Sequence, residues 1–119
     1  MLKLASQLDA MGRLGRALAD PTRCQILLQL VDGPAYPAVL AADLELTRSN
    51  VSNHLACLRG CGLVVATPEG RQMRYELSDS RLAHALSDMM NVDLAVGGDE
   101  PCSDEQRAPA ASRAAAVAS

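Results

Sequence analysis

Cys57 and Cys61 stand four positions apart in the stretch Thr47-Arg-Ser-Asn-Val-Ser-Asn-His-Leu-Ala-Cys-Leu-Arg-Gly-Cys61. On a helix, residues i and i+4 are surface neighbours with about 5 to 6 Å between Cβ atoms, close enough for both sulfurs to reach one soft metal ion. Two thiolates are too few for a selective soft-metal site, and the residues alone leave Cys24, Cys102 or His54 as a third ligand. Cys24 precedes Leu27, Leu28 and Val31 on an apolar stretch and reads as a buried structural thiol. Cys102 lies beyond Gly97-Gly98 and beside Pro101 in a polar tail, where a ligand and an incidental exposed thiol are both open readings. Three thiolates suit cadmium, lead and trivalent arsenic, whereas structural zinc usually takes four ligands.

The same stretch has the composition of a DNA-reading helix. At about 100° per position, Val51, Leu55 and Leu58 form one apolar stripe, and Ser49, Ser52, Asn53 and Ala56 project together on a second face. Cys57 and Cys61 share a third quadrant with Asn50 and His54, so metal capture there need not displace a base-reading side chain. The net charge of −3 is adverse for a DNA binder until it is divided along the chain. From Thr47 to Arg74, Arg48, Arg59, Arg71 and Arg74 stand against Glu69 alone, a balance of +3, and the remainder carries −6. Phosphate binding follows the local field, so an acidic chain can still present a basic DNA face.

These residues need a scaffold, and 119 residues with 49% hydrophobic content suit one domain. With no Phe or Trp and only two Tyr, the core is built from Leu, Val, Ile, Met and Ala, which favours helices and disfavours aromatic stacking on single strands. Leu2 to Leu18 repeats apolar residues at Leu4, Leu8, Met11, Leu14 and Leu18, the period of an amphipathic helix. Asp20-Pro21 caps and opens a second helix reaching about Val31, and Asp32-Gly33-Pro34 breaks it. Pro37 to Asp43 reads as a short helix ending near Glu45, and Thr47 caps the next, which Gly62 ends.

Two helices joined by a tight turn make a helix-turn-helix. Leu63 to Ala66 and Met73 to Leu77 follow as strands around a turn-rich segment, forming a wing whose Arg71 and Arg74 meet phosphates or a minor groove. Ser78 or Asp79 caps a last helix extending to about Val96. The expected fold is therefore mainly α with a small β-hairpin, a winged helix-turn-helix in the order α-α-α-α-β-β-α. The amphipathic first and last helices are expected to supply a dimer interface. Residues 1–96 make the DNA-binding and dimerisation domain, and 97–119 a flexible tail. No signal peptide or long apolar run is visible, so a cytoplasmic protein with no membrane contact is expected, and its thiols are read as ligands, sensors or buried groups.

The string Leu18-Ala-Asp-Pro-Thr-Arg-Cys-Gln-Ile-Leu27, with Leu46-Thr-Arg-Ser-Asn-Val-Ser-Asn-His-Leu55, Leu58-Arg59 and Gly62-Leu-Val, resembles the ArsR/SmtB family of winged-helix metal-sensing repressors. The likeness spans roughly Leu14 to Leu94. It implies a homodimer that binds double-stranded operator DNA without metal and dissociates with it. The cysteine pattern is similar to that of a cadmium- and lead-sensing member, which implies Cys57, Cys61 and Cys102 as the metal ligands. Cd(II) or Pb(II) is then the expected effector, with Zn(II) or As(III) as further candidates. The resemblance also places His54 in a motif position, as a DNA or helix-packing contact. Arg48, Ser49, Asn50, Ser52, Asn53, His54, Arg59, Arg71 and Arg74 make up the expected DNA-binding set. Two other ligand sets of the family are missing: its paired cysteines would fall around Tyr36-Pro37-Ala38, and its last-helix set would need more than Asp79, near Val92 and Ala95.

The alternative reading is a thiol redox repressor in which Cys57 and Cys61 oxidise. The negative end of the helix dipole disfavours thiolates at that place, Arg59 only partly offsets it, and a metal would supply the missing deprotonation. An enzyme is not expected: no His-Glu-x-x-His run, nucleophile triad or phosphate loop is present, and the chain has two histidines, His54 and His84.

Overall fold

The computed structural model describes residues 2–95. Five helices and one hairpin follow in the order α1 (Leu2–Leu18), α2 (Pro21–Val31), α3 (Pro37–Leu44), α4 (Arg48–Gly60), β1 (Val64–Glu69), β2 (Gln72–Leu77) and α5 (Ser80–Met90). This is the expected winged helix-turn-helix. Gly97-Gly98, Cys102 and the rest of the tail lie outside the described residues. Among the described residues, no helix is long and apolar enough to cross a membrane.

Side-chain caps fix the starts of α2, α4 and α5. The Asp20 carboxylate accepts from the Arg23 N–H at 3.1 Å, with Pro21 in the first turn where its missing donor costs nothing. Thr47 Oγ1 accepts from the Asn50 N–H at 3.0 Å, and Asp79 Oδ1 from the Arg81 N–H at 2.8 Å. α4 ends where Gly62 takes φ 86 and the Leu63 N–H returns to the Leu58 carbonyl at 3.0 Å, a closure that also brings two buried leucines together. The turn between α3 and α4 instead relies on Glu45 at φ 58, a left-handed conformation unusual for a residue with a side chain. There the Leu46 N–H reaches the Ala41 carbonyl at 2.9 Å.

The core gathers Ile26, Leu27 and Leu30 of α2, Leu40 of α3, Val51, Leu55 and Leu58 of α4, Leu63 and Val64 at the wing root, and Leu86 of α5. The whole apolar stripe predicted for the recognition helix is therefore buried, which fixes the rotation of α4 and turns its polar faces outward. α1 behaves differently. Leu14 and Leu18 pack against the core, but Leu4, Leu8 and Met11 are 55%, 63% and 65% exposed.

Two boundaries differ from expectation. The hairpin is longer, because Thr67 to Glu69 and Gln72 join the ladder and only Gly70-Arg71 form the loop. Gly70 takes φ 62 at the first loop position, as a two-residue type II′ connection requires. Pro68 is accommodated because a two-stranded sheet consists of edge strands. The last helix is shorter, ending at Met90 and not near Val96. The Asn91 side chain donates to the Ser87 carbonyl at 3.0 Å, and the N–H groups of Asn91 and Val92 close three-residue turns on Asp88 and Met89. Asparagine satisfies the local backbone in this way and stops the helix.

Candidate functional site

The recognition helix turns most of its polar residues outward. Arg48, Ser49, Asn50, Ser52, Asn53 and Arg59 are exposed, while Val51, Leu55 and Leu58 hold the opposite side in the core. Arg71, also exposed, occupies the wing loop. An open cleft of about 370 Å³ lies between α4 and the wing, lined by Arg48 and Ser52 on one side and Arg71, Gln72 and Met73 on the other. Two guanidinium-bearing walls and a hydroxyl form a surface suited to a phosphodiester backbone.

Two expected DNA residues have protein partners. His54 is half-buried, with Nδ1 3.5 Å from Asp20 Oδ2, so the α4 histidine lies against the carboxylate that caps α2. The contact joins the recognition helix to the start of α2. Arg74 is half-buried on β2, with Nε 4.0 Å from Glu69 Oε2 and Nη1 3.5 Å from Glu76 Oε2.

The thiol pair lies at the C-terminal end of the same helix, Cys57 in its last turn and Cys61 at its C-cap. Cys57 is exposed and Cys61 half-buried against the core. The Cys61 N–H donates to the Cys57 carbonyl at 3.0 Å, so the pair spans one helical turn. Among the described residues, no group of three or more His, Cys, Asp or Glu side chains gathers, and Cys102 lies outside them. The pair thus offers two soft donors on one helical element.

Sequence reasoning missed the neighbours of this pair. Arg13 of α1 is held by Asp9 at 2.8 Å and extends Nη1 to the Gly60 carbonyl at 3.4 Å, one residue from Cys61. Its guanidinium is held above its ordinary pKa, chiefly by the hydrogen bond from Arg13 to Asp9 and the charge of that carboxylate. The i, i+4 spacing of Asp9 and Arg13 was readable, but their reach to α4 was not. Arg13, Leu14, Cys61, Leu63 and Leu82 line a second cleft of about 370 Å³, which joins α1 and α5 to the end of the recognition helix.

Cys24 has another environment. It is half-buried on α2 and its Sγ donates to the Leu18 carbonyl at 3.2 Å. Burial pushes its thiol pKa up, the Asp20 carboxylate adds to that, and Arg23 opposes it. A protonated, hydrogen-bonded thiol is the state this setting favours.

Comparison with known proteins agrees with this geometry. Residues 20–65 match the family described as bacterial regulatory protein, arsR family. The HTH-type transcriptional regulator CmtR of Mycobacterium tuberculosis is 64% identical over 108 residues, covering 91% of this chain and 92% of that regulator. The solution structure of the cadmium metal-sensor CmtR from the same organism superposes with a TM-score of 0.62 at 69% identity, over 79% of this chain and 98% of that one. A homodimeric winged helix-turn-helix DNA-binding domain from Mycobacterium bovis superposes with a TM-score of 0.68 at 30% identity, covering 74% and 82%. The chain belongs to the ArsR family of bacterial regulatory proteins, and is a helix-turn-helix transcriptional regulator and not an enzyme.

Proposed function

We propose that this regulator is a repressor that binds operator DNA as a homodimer in the cytoplasm and releases it when its cysteines take up Cd(II) or Pb(II). Zn(II) and As(III) are further effectors to be tested. The observation that carries the reading is the placement of Cys57 and Cys61 on the flank of the helix whose other face is free for DNA. The donor set fits a soft ion: two thiols, one exposed and one at the edge of the core, on neighbouring turns. Cys102 of the segment 97–119 is the proposed third ligand, and residues 1–96 the DNA-binding and dimerisation domain.

When bound, the metal supplies deprotonation of the thiols and a cross-link between them. Cys57 and Cys61 then tie the recognition helix to the segment carrying Cys102. A coupling of about 1 to 3 kcal/mol would change operator affinity roughly 5- to 150-fold. The dimer reading rests on the exposed Leu4, Leu8 and Met11 stripe of α1, which a second copy would cover, and on the homodimeric relative.

The test titrates reduced protein with Cd(II) and Pb(II), following thiolate-to-metal absorption together with the anisotropy of a duplex selected from a randomised pool. Metal binding at substoichiometric additions should coincide with DNA release, and Cys102→Ser should bind DNA yet lose the response. Operator affinity that ignores metal but falls on peroxide treatment would replace this reading with a redox repressor using Cys57 and Cys61.

A further inference from the structure

The wing carries two arginines of the same charge and near the same place in the sequence, yet the structure separates them. Arg71 sits in the two-residue loop, exposed, and lines the cleft that also holds Arg48 and Ser52. Among the described residues, no carboxylate lies within ion-pair distance of it. Arg74 stands opposite Thr67 in the ladder, does not line that cleft, and is flanked by two carboxylates.

Those carboxylates come from both strands. Glu76 is two residues along β2 and therefore on the same face as Arg74, while Glu69 comes from the end of β1. Glu69 is itself oriented by the Tyr36 hydroxyl, which donates to its Oε1 from the residue that precedes α3. That hydrogen bond and the nearby negative charge hold the Tyr36 hydroxyl above its ordinary pKa, so it remains a donor. Ala35 adds a backbone anchor, exchanging two 2.9 Å hydrogen bonds with Tyr75 beside Arg74. The Glu69 carboxylate is thus held by Tyr36, and Glu76 shares the strand face of Arg74.

We propose that Glu69 and Glu76 are positioning residues for DNA binding: they keep Arg74 out of the phosphate-contacting set, leaving Arg71 as the cation that the wing presents to DNA. A phosphate approaching Arg74 enters the field of two carboxylates, whereas one approaching Arg71 does not. The wing then contributes one phosphate contact from two arginines, and the two glutamates attenuate affinity. This rests on the winged helix-turn-helix being the DNA-binding element, and it extends that reading by assigning its wing residues separate roles.

Salt dependence counts neutralised phosphates, because each contact releases condensed counterions and adds about 0.9 to the slope of log affinity against log salt. The experiment measures that slope by anisotropy with a fluorescein-labelled duplex of mixed sequence, using full-length metal-free protein. Arg71→Ala should lower the slope by about 0.9, and Arg74→Ala should leave it unchanged. Glu69→Gln combined with Glu76→Gln should steepen it by about 0.9, and adding Arg74→Ala should cancel that gain. Thermal melts of each variant confirm an intact fold, since all four side chains lie on the wing surface and outside the buried core.

Equal slope losses for Arg74→Ala and Arg71→Ala would overturn the proposal by making Arg74 a phosphate contact. A steeper slope that survives the added Arg74→Ala would also overturn it, by reducing the glutamates to general repulsion. Failure of the unaltered protein to bind any duplex would instead strike at the DNA-binding reading itself.

Discussion

Cys24 on α2 and the pair Cys57 and Cys61 on α4 lie on helices that share one core, and they differ in what surrounds the sulfur. The Cys24 thiol donates to the Leu18 carbonyl at 3.2 Å and is desolvated beside the Asp20 carboxylate. Cys57 is exposed, and Cys61 borders an open cleft between α1 and α5. One setting uses a thiol as a small, protonated packing group, and the other leaves two thiols available to a ligand. A count of cysteines says nothing of this. Both buried stripes, Ile26, Leu27 and Leu30 of α2 and Val51, Leu55 and Leu58 of α4, leave the cysteines outside. What separates the roles is the local partner: the Leu18 carbonyl engages the Cys24 thiol, whereas Cys57 is open to solvent and Cys61, at the C-cap of α4, borders a cleft.

The comparison breaks most severely if α4 is not anchored as firmly as α2. Leu58 is fully buried, lies next to Cys57 in sequence, and its carbonyl accepts the bond that closes the helix. Leu58→Ala should cost about 2 to 5 kcal/mol in urea unfolding, in the same range as Leu27→Ala on α2. A much smaller loss for Leu58 alone would mean that the recognition helix is loosely held and that its thiol geometry is not fixed by packing. Function gives the next largest contrast. Under the proposed metal response, Cys57→Ser or Cys61→Ser should abolish metal-driven DNA release, a loss of about 5- to 150-fold in affinity change, while Cys24→Ser retains it. The readout is anisotropy with and without Cd(II); a response lost equally in Cys24→Ser would place all three thiols in one site and end the distinction.

How far the sequence reveals this arrangement depends on the range of the interactions. The caps Asp20 and Thr47, the closing Gly62 and the buried stripe of α4 all act within about one helical turn, and each is where the sequence places it. The exposure of Ser49, Ser52 and Asn53 follows from that stripe by the helical period. Of the partners of Arg74, Glu76 follows from the two-residue strand period, whereas Glu69 was hidden because it reaches Arg74 across a hairpin whose length Pro68 disguised. The contact of Arg13 with Gly60 spans 47 residues, and that of His54 with Asp20 joins two helices, so neither leaves a local pattern. Periodicity showed that α1 is amphipathic, but could not say that the core would take only Leu14 and Leu18 of its stripe and leave Leu4, Leu8 and Met11 outside. The third thiol of the proposed site, Cys102, lies outside the described residues and rests on the sequence resemblance.

The finest test of the contrast is the titration of Cys24 itself. Burial, then the Asp20 carboxylate, raise its thiol pKa above the ordinary range, with Arg23 opposing. A thiol of raised folded-state pKa holds its proton longer in the native than in the unfolded chain. Its contribution to stability is therefore complete below the unfolded thiol value, about 8.5, and is lost as pH rises through the folded value. Unfolding by urea should accordingly show a decline in stability on passing from neutral to alkaline pH that is smaller in Cys24→Ala than in the unaltered protein. Because the thiol is only partly buried, solvent screening keeps this difference below the effects of Leu58→Ala. An identical decline in both proteins would show that Cys24 releases its proton as readily in the native state as in the unfolded one. The 3.2 Å contact with Leu18 would then confer no protection, and Cys24 would join Cys57 as an available thiol.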